Sequence, residues 1–165
     1  MAEKEIRYDV DGYEVVTTAL MSLINQYPGL NGSSFEFSTL SAESGRALFP
    51  ISGAIIEIEK SDILGGVRQV CRYPFNLVYR AGGLSDSRKA AVKEFLDSLG
   101  RWLERQTVAV DGGSVKLEAY PPLTGARKIL SIERQSPAYL DNTYEGNVED
   151  WVIQLNARYS NEFKR

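Results

Sequence analysis

Histidine is absent from all 165 residues. That removes Ser-His-Asp and Cys-His catalysis, His-ligated zinc and haem, and any switch that depends on imidazole titration. Cysteine occurs once, as Cys71, so neither an internal disulfide nor a thiolate-rich metal cluster is available, a pattern that fits a reducing compartment. No run of about 18 successive apolar residues occurs, and a membrane-spanning helix is not expected. The opening Met1-Ala2-Glu3-Lys4-Glu5-Ile6-Arg7 is charged and lacks an apolar stretch, which predicts no signal peptide. With 19 basic and 22 acidic residues the net charge is −3. The surface as a whole is expected to repel nucleic acid and anionic lipid, although a local basic patch stays open.

What is present suffices for a core. The chain is 43% hydrophobic and 10% aromatic, and a chain of this length buries roughly 70% of its unfolded surface without needing disulfides or metal. Asp11-Gly12-Tyr13-Glu14 has the form of a capping box, and Val16, Ala19, Leu20, Leu23, Ile24 and Tyr27 follow at helical spacing until Pro28-Gly29; one helix is predicted there. Ser85, Asp86 or Ser87 can cap a second, running to about Gln106, whose apolar face is Ala91, Phe95, Leu99 and Trp102 with Val92, Leu96 and Leu103 beside them. Gly100 inside it costs about 1 kcal/mol relative to Ala and implies close approach of another backbone.

Alternation with period two marks the strands. Ser52 to Glu59 places Ala54, Ile56 and Ile58 on one face and Ile55, Glu57 and Glu59 on the other. Val67 to Arg80 alternates Val67, Cys71, Tyr73, Phe75, Leu77 and Tyr79 against Arg68, Arg72, Asn76 and Arg80. Gly65-Gly66 suits the turn between these runs, and Pro74 implies an edge position or a bulge, since it cannot donate to a ladder. Val108-Ala109-Val110 and Val115-Lys116-Leu117 flank a turn sequence, Arg127 to Arg134 gives another strand, and Trp151 to Tyr159 a last one. Residues 28–50 are rich in Gly, Ser and Asn, with Phe35-Glu36-Phe37-Ser38 as a short edge piece; 135–150 read as a long polar loop, functional or mobile. The expectation is one α+β domain over residues 1–165, with a mainly antiparallel sheet of about 4–6 strands and two helices packed on one face.

Few constellations suggest chemistry. Glu57 and Glu59 share a strand face roughly 7 Å apart, a spacing that suits paired acid and base work, but a solvated outer face explains the same alternation. Ala81-Gly82-Gly83-Leu84 before a helix matches neither the P-loop nor GxGxxG. Cys71 reads as a small buried hydrophobe without a partner base. Arg68, Arg72 and Arg80 on one face, with Arg101 and Arg105 on the second helix, suit DNA or an acidic protein surface, or simply solvent. Tyr139, Tyr144 and Phe49 fall in segments read as loops, covered either by a partner or by their own core. No catalytic residue, metal site or cofactor is expected, and the chain is read as a non-enzyme.

The layout resembles the tail-terminator and minor capsid (head-tail joining) proteins of tailed bacteriophages. The residues that carry it are the helix end Leu23-Ile24-Asn25-Gln26-Tyr27-Pro28, the strand Cys71 to Arg80, the helix Phe95 to Leu103, and the closing Asp150 to Tyr159. The resemblance implies a homo-oligomeric ring, typically a hexamer, on the end of a tail tube. Such a ring stops polymerisation and offers a surface to a head-completion or neck protein. It also implies DNA only as cargo passing the lumen, no membrane, and a place in the virion tail or neck after assembly in the bacterial host cytoplasm. Arg46, Phe49, Tyr139, Leu140 and Tyr144 are the expected contact residues. Another phage neck protein, or a small-molecule-binding regulatory α+β module, remains an alternative.

Overall fold

The computed structural model describes residues 5–165. The charged start Met1-Ala2-Glu3-Lys4, on which part of the no-signal-peptide expectation rests, lies outside the described residues. In chain order the elements are β1 (Arg7–Tyr8), α1 (Val10–Ile24), β2 (Glu36–Phe37), β3 (Gly45–Pro50), β4 (Ile55–Ser61), β5 (Gly66–Gly82), α2 (Asp86–Leu103), β6 (Val108–Val110), β7 (Gly113–Val115), β8 (Arg127–Arg134), β9 (Tyr139–Tyr144) and β10 (Val148–Lys164). Among the described residues no helix is long and apolar enough to cross a membrane.

β5 and β10, 17 residues each, form the spine. They pair antiparallel along their whole length, from Val148 opposite Gly82 to Lys164 opposite Gly66, up to about 55 Å at the usual rise of a strand. Each long strand is flanked by two shorter ones laid end to end. β4 covers the first half of β5 and β3 the second; β8 covers one half of β10 and β9 the other. β1 adds outside β4, and β2 pairs with β3 in the one parallel contact among the described residues. The main sheet therefore has eight strands, with β6 and β7 as a separate hairpin.

This corrects the expected sheet of 4–6 strands. The shortfall arose where alternation is weak. β3, Gly45-Arg46-Ala47-Leu48-Phe49-Pro50, and β9, Tyr139-Leu140-Asp141-Asn142-Thr143-Tyr144, lack a clean apolar face because they are held by pairing with a spine strand rather than by burying one side of their own. Parts of the segments read as loops, Gly45–Pro50 and Tyr139–Tyr144, are thus strands. The expected helix runs were also long by a few residues at the C-terminal end of α2, which stops at Leu103.

Pro74 sits in a central strand without breaking it. It is opposite Asn156 in β10, and its carbonyl accepts from Ile51 N at 3.0 Å on the other flank. Its missing donor therefore faces the joint where β4 pairing ends at Arg72 and β3 pairing begins at Phe75, a place where no ladder bond is lost.

Both helices lie on the face bearing the odd-numbered residues of the spine. Val16, Leu20 and Ile24 of α1 and Leu96, Leu99 and Leu103 of α2 join Cys71, Tyr73, Phe75, Leu77, Ile153, Leu155 and Tyr159 in one core, each no more than 1% exposed. α1 begins two residues before the expected capping box. Asp9 is its cap, accepting from Gly12 N at 3.1 Å. The choice is made by distant groups: Arg127 donates twice to the same carboxylate (2.8 and 3.0 Å) and Tyr159 Oη once (2.8 Å).

Gly100 is closely approached, by side chains and not by the other backbone that the sequence implied. A Cβ there would stand 2.6 Å from Arg134 Cδ and 2.9 Å from Ile153 Cδ1. Neither neighbour yields easily, since Arg134 Nε is bonded to Glu104 at 2.6 Å and Ile153 is fully buried. Gly100→Ala is therefore expected to destabilise by about 1–3 kcal/mol, the reverse of the roughly 1 kcal/mol gain for this change in an open helix. Urea unfolding measures the sign directly.

Candidate interaction surface

The acid–base pair dissolves in the fold. A β-bulge between Ile56 and Ile58 adds one residue to β4 and turns the two glutamates to opposite faces. Glu57 meets Arg72 at 3.2 Å and Arg158 at 3.9 Å on the face away from the helices. Glu59 meets Arg7 at 3.1 Å and accepts from Gln69 at 2.8 Å on the other.

The arginine row of β5 is also matched. Arg68 lies 3.5 Å from Glu162 and Arg80 2.7 Å from Asp150, while on α2 Arg101 reaches Glu94 at 3.1 Å. Arg105 donates to the carbonyls of Leu117 and Glu118. Arg68, Arg72 and Arg80 each have a carboxylate beside them, which lowers the attraction of this row for phosphates. Cys71 is fully buried, and burial pushes its thiol up to about 11. Native protein at pH 8 should therefore react with a thiol reagent at least about 100-fold more slowly than after denaturation.

The five expected contact residues all fall on strands flanking the same half of the spine. Transverse rows connect them: Arg46 pairs with Tyr79, Tyr79 with Trp151, and Trp151 with Leu140. The next row in register runs Ala47, Val78, Val152, Tyr139. They do not form one cluster, because alternation sends neighbours to opposite faces. Arg46 lies toward the helices, its guanidinium 4.3 Å from the Tyr79 ring centre and 5.5 Å from that of Phe95. Phe49 is opposite Asn76 on the other face. Tyr139 Oη accepts from Gln154 Nε2 at 2.9 Å, and Tyr144 Oη donates to Asp150 Oδ2 at 2.9 Å.

Behind Tyr144 stands a partly buried ion pair. Arg80 holds Asp150 through two bonds of 2.7 and 2.9 Å, and its guanidinium lies 5.0 Å from the Tyr144 ring centre. The start of β9 is fixed from the helix side, where the buried Asp97 carboxylate accepts from Ala138 N at 2.8 Å. β9 is thus a firmly mounted strand that pairs on one side only. Leu140 and Tyr144 on it are 42% and 41% exposed.

The other half of the same margin, where β8 flanks β10, differs. On β8, Ile132 N donates to Tyr120 Oη (3.2 Å) and Arg134 N to Glu104 Oε2 (3.2 Å), so side chains occupy donors that a further strand would use. Blocking β8 in this way confines a strand docking along this margin to the β9 half.

Sequence reasoning passed over a second exposed apolar site, Ile63 and Leu64 at the β4–β5 turn. Two large aliphatic residues in a turn otherwise built from Asp and Gly were the available signal. Also unread was a groove of about 540 Å³ beside α2, lined by residues that include Leu30, Arg46, Arg88, Val92 and Phe95.

No protein-family model matches the chain, and no curated protein matches it. Among solved structures, a chain titled "Virion of native gene transfer agent (GTA) particle" overlays with a TM-score of 0.44 and 13% identity, spanning 93% of this chain and 99% of that one. A likeness that loose leaves function to the chain's own geometry.

Proposed function

We propose that this chain is a structural protein of a tailed phage or phage-like particle, acting as one tail-terminator-like domain over residues 1–165. Copies form a ring, a hexamer in this reading, on the end of the tail tube, stop its growth and offer the exposed side to a head-completion or neck protein. DNA passes only as cargo, and the net charge of −3 disfavours its retention on the subunit surface. Arg46, Phe49, Tyr139, Leu140 and Tyr144 belong to the contact region in this proposal.

The observation that carries it is the open margin at β9: a six-residue strand with one free side, rigidly backed and presenting Leu140 and Tyr144 to solvent. A strand edge left open on a rigid sheet is a docking template. The polar groups that sequence suggested for chemistry are meanwhile engaged in structural pairs.

Light scattering of the protein, alone and mixed with the tail tube protein of the same particle, tests this. Expected are closed oligomers alone or on tube ends, visible in negative stain, and their loss in Leu140→Lys, whose exposed position leaves folding intact. A wild type that stays monomeric at high concentration both with and without tube protein overturns the proposal.

A further inference from the structure

The two ends of β5 carry features that the β9 margin does not use. At its start the β4–β5 turn projects Ile63, 101% exposed, and Leu64, 78% exposed. This tip is held in shape. Asp62 Oδ1 accepts from Leu64 N at 2.8 Å and from Gly66 N at 2.9 Å, Asp62 N donates to Gly66 O at 2.9 Å, and Arg165 N donates to Gly65 O at 2.8 Å. Gly65, with φ +87°, supplies the left-handed turn residue. A fixed turn that keeps two aliphatic side chains in water is unfavourable unless something covers them.

At the far end of β5, between the start of α2 and β3, lies the groove of about 540 Å³. Leu30, Val92 and Phe95 contribute apolar surface, Arg46 and Arg88 contribute positive charge, and among the described residues no carboxylate lines it. Arg46 Nε is buried there without an acceptor. The tip segment 61–66 brings the carboxylate that the groove lacks, Asp62, with Lys60, Arg68 and Arg165 set behind the two aliphatic side chains.

We propose that the Ile63-Leu64 tip of one copy seats in the α2 groove of the next, with Asp62 directed toward Arg46 and Arg88. The occupant is a second copy of this chain because tip and groove are complementary in both apolarity and charge. Since the two surfaces differ and lie at opposite ends of one strand, the contact is head-to-tail, and it closes into a ring or continues as a filament. The inference rests on the self-assembly reading above, but it names a surface separate from β9.

Sedimentation of the full chain tests it with two kinds of variant, Ile63→Asp/Leu64→Asp at the tip and Ala91→Trp in the groove, all at exposed positions. Each is expected to associate at least about 30-fold more weakly than wild type, the scale of a central interface anchor. Mixed together they should give a dimer and nothing larger, because one intact tip meets one intact groove. Leu64→Cys mixed with Ala91→Cys should yield a covalent dimer on mild oxidation, since the native Cys71 is buried.

Assembly unchanged in both variants overturns the contact. So does self-crosslinking of Leu64→Cys alone, or a tip variant that loses binding to anionic lipid vesicles while self-association persists. Rings that survive these changes but are lost in Leu140→Lys would sink the tip contact and leave the terminator reading standing. A wild type that is monomeric with and without tube protein sinks both.

Discussion

Asp9→Ala is expected to cost about 3–5 kcal/mol of folding stability, the usual penalty for removing one partner of a buried ion pair. The Asp9 side chain is 7% exposed and that of Arg127 15%. The carboxylate receives two bonds from Arg127, one from Tyr159 and one from Gly12 N. Alanine would leave a guanidinium and a phenol without their acceptor and remove the cap of α1. Asp9→Asn keeps a capping oxygen but not the charge, so its loss should be smaller, and the difference between the two variants in urea midpoint isolates the cap from the ion pair.

The same group sets an acid limit. Burial acts to raise the Asp9 carboxyl, but the hydrogen bonds from Arg127 and Tyr159 outweigh it, and the group ends below its ordinary value of 3.8. A folded-state value below the unfolded one means the contribution is fully present above the unfolded value and fades as pH falls through the folded one. The wild type should therefore lose stability more steeply than Asp9→Asn as pH drops below about 4. Parallel acid unfolding curves for the two would show that Asp9 is not ionised in the native state.

Trp102→Ala is expected to destabilise by about 3–5 kcal/mol through lost burial and the cavity left behind. Trp102 is 4% exposed, and its ring centre lies 5.3 Å from that of Tyr27, which in turn stands 6.1 Å from Phe95. This cluster joins α2 to the end of α1, so the gap cannot close without moving a helix against the sheet. Against a typical domain stability of about 5–15 kcal/mol, the change removes a large share. Leu140→Ala on the open β9 margin is the control and should stay within about 0.5 kcal/mol. A Trp102→Ala midpoint close to that of the control would mean the cluster is not packed as described.

The sequence by itself determined the parts whose information is carried by covalently near residues. Alternation set β5, β8 and most of β10, helical spacing set α1 and α2, and Asp-Gly and Gly-Gly pairs set the turns. Cys71 was legible as a core residue because its neighbours on the same face are apolar. Tertiary structure alone decided the rest. β3 and β9 became strands because a long spine strand offers partners along its whole length, which no local period records. The bulge at Glu57 separated two carboxylates that simple alternation had placed together. Asp9 displaced Asp11 as the cap because Arg127 and Tyr159, more than 100 positions away, converge on it. Which arginines are neutralised, which margin stays open and which turn stands bare depend on pairing across the sheet, a property of distance in space that sequence spacing does not encode.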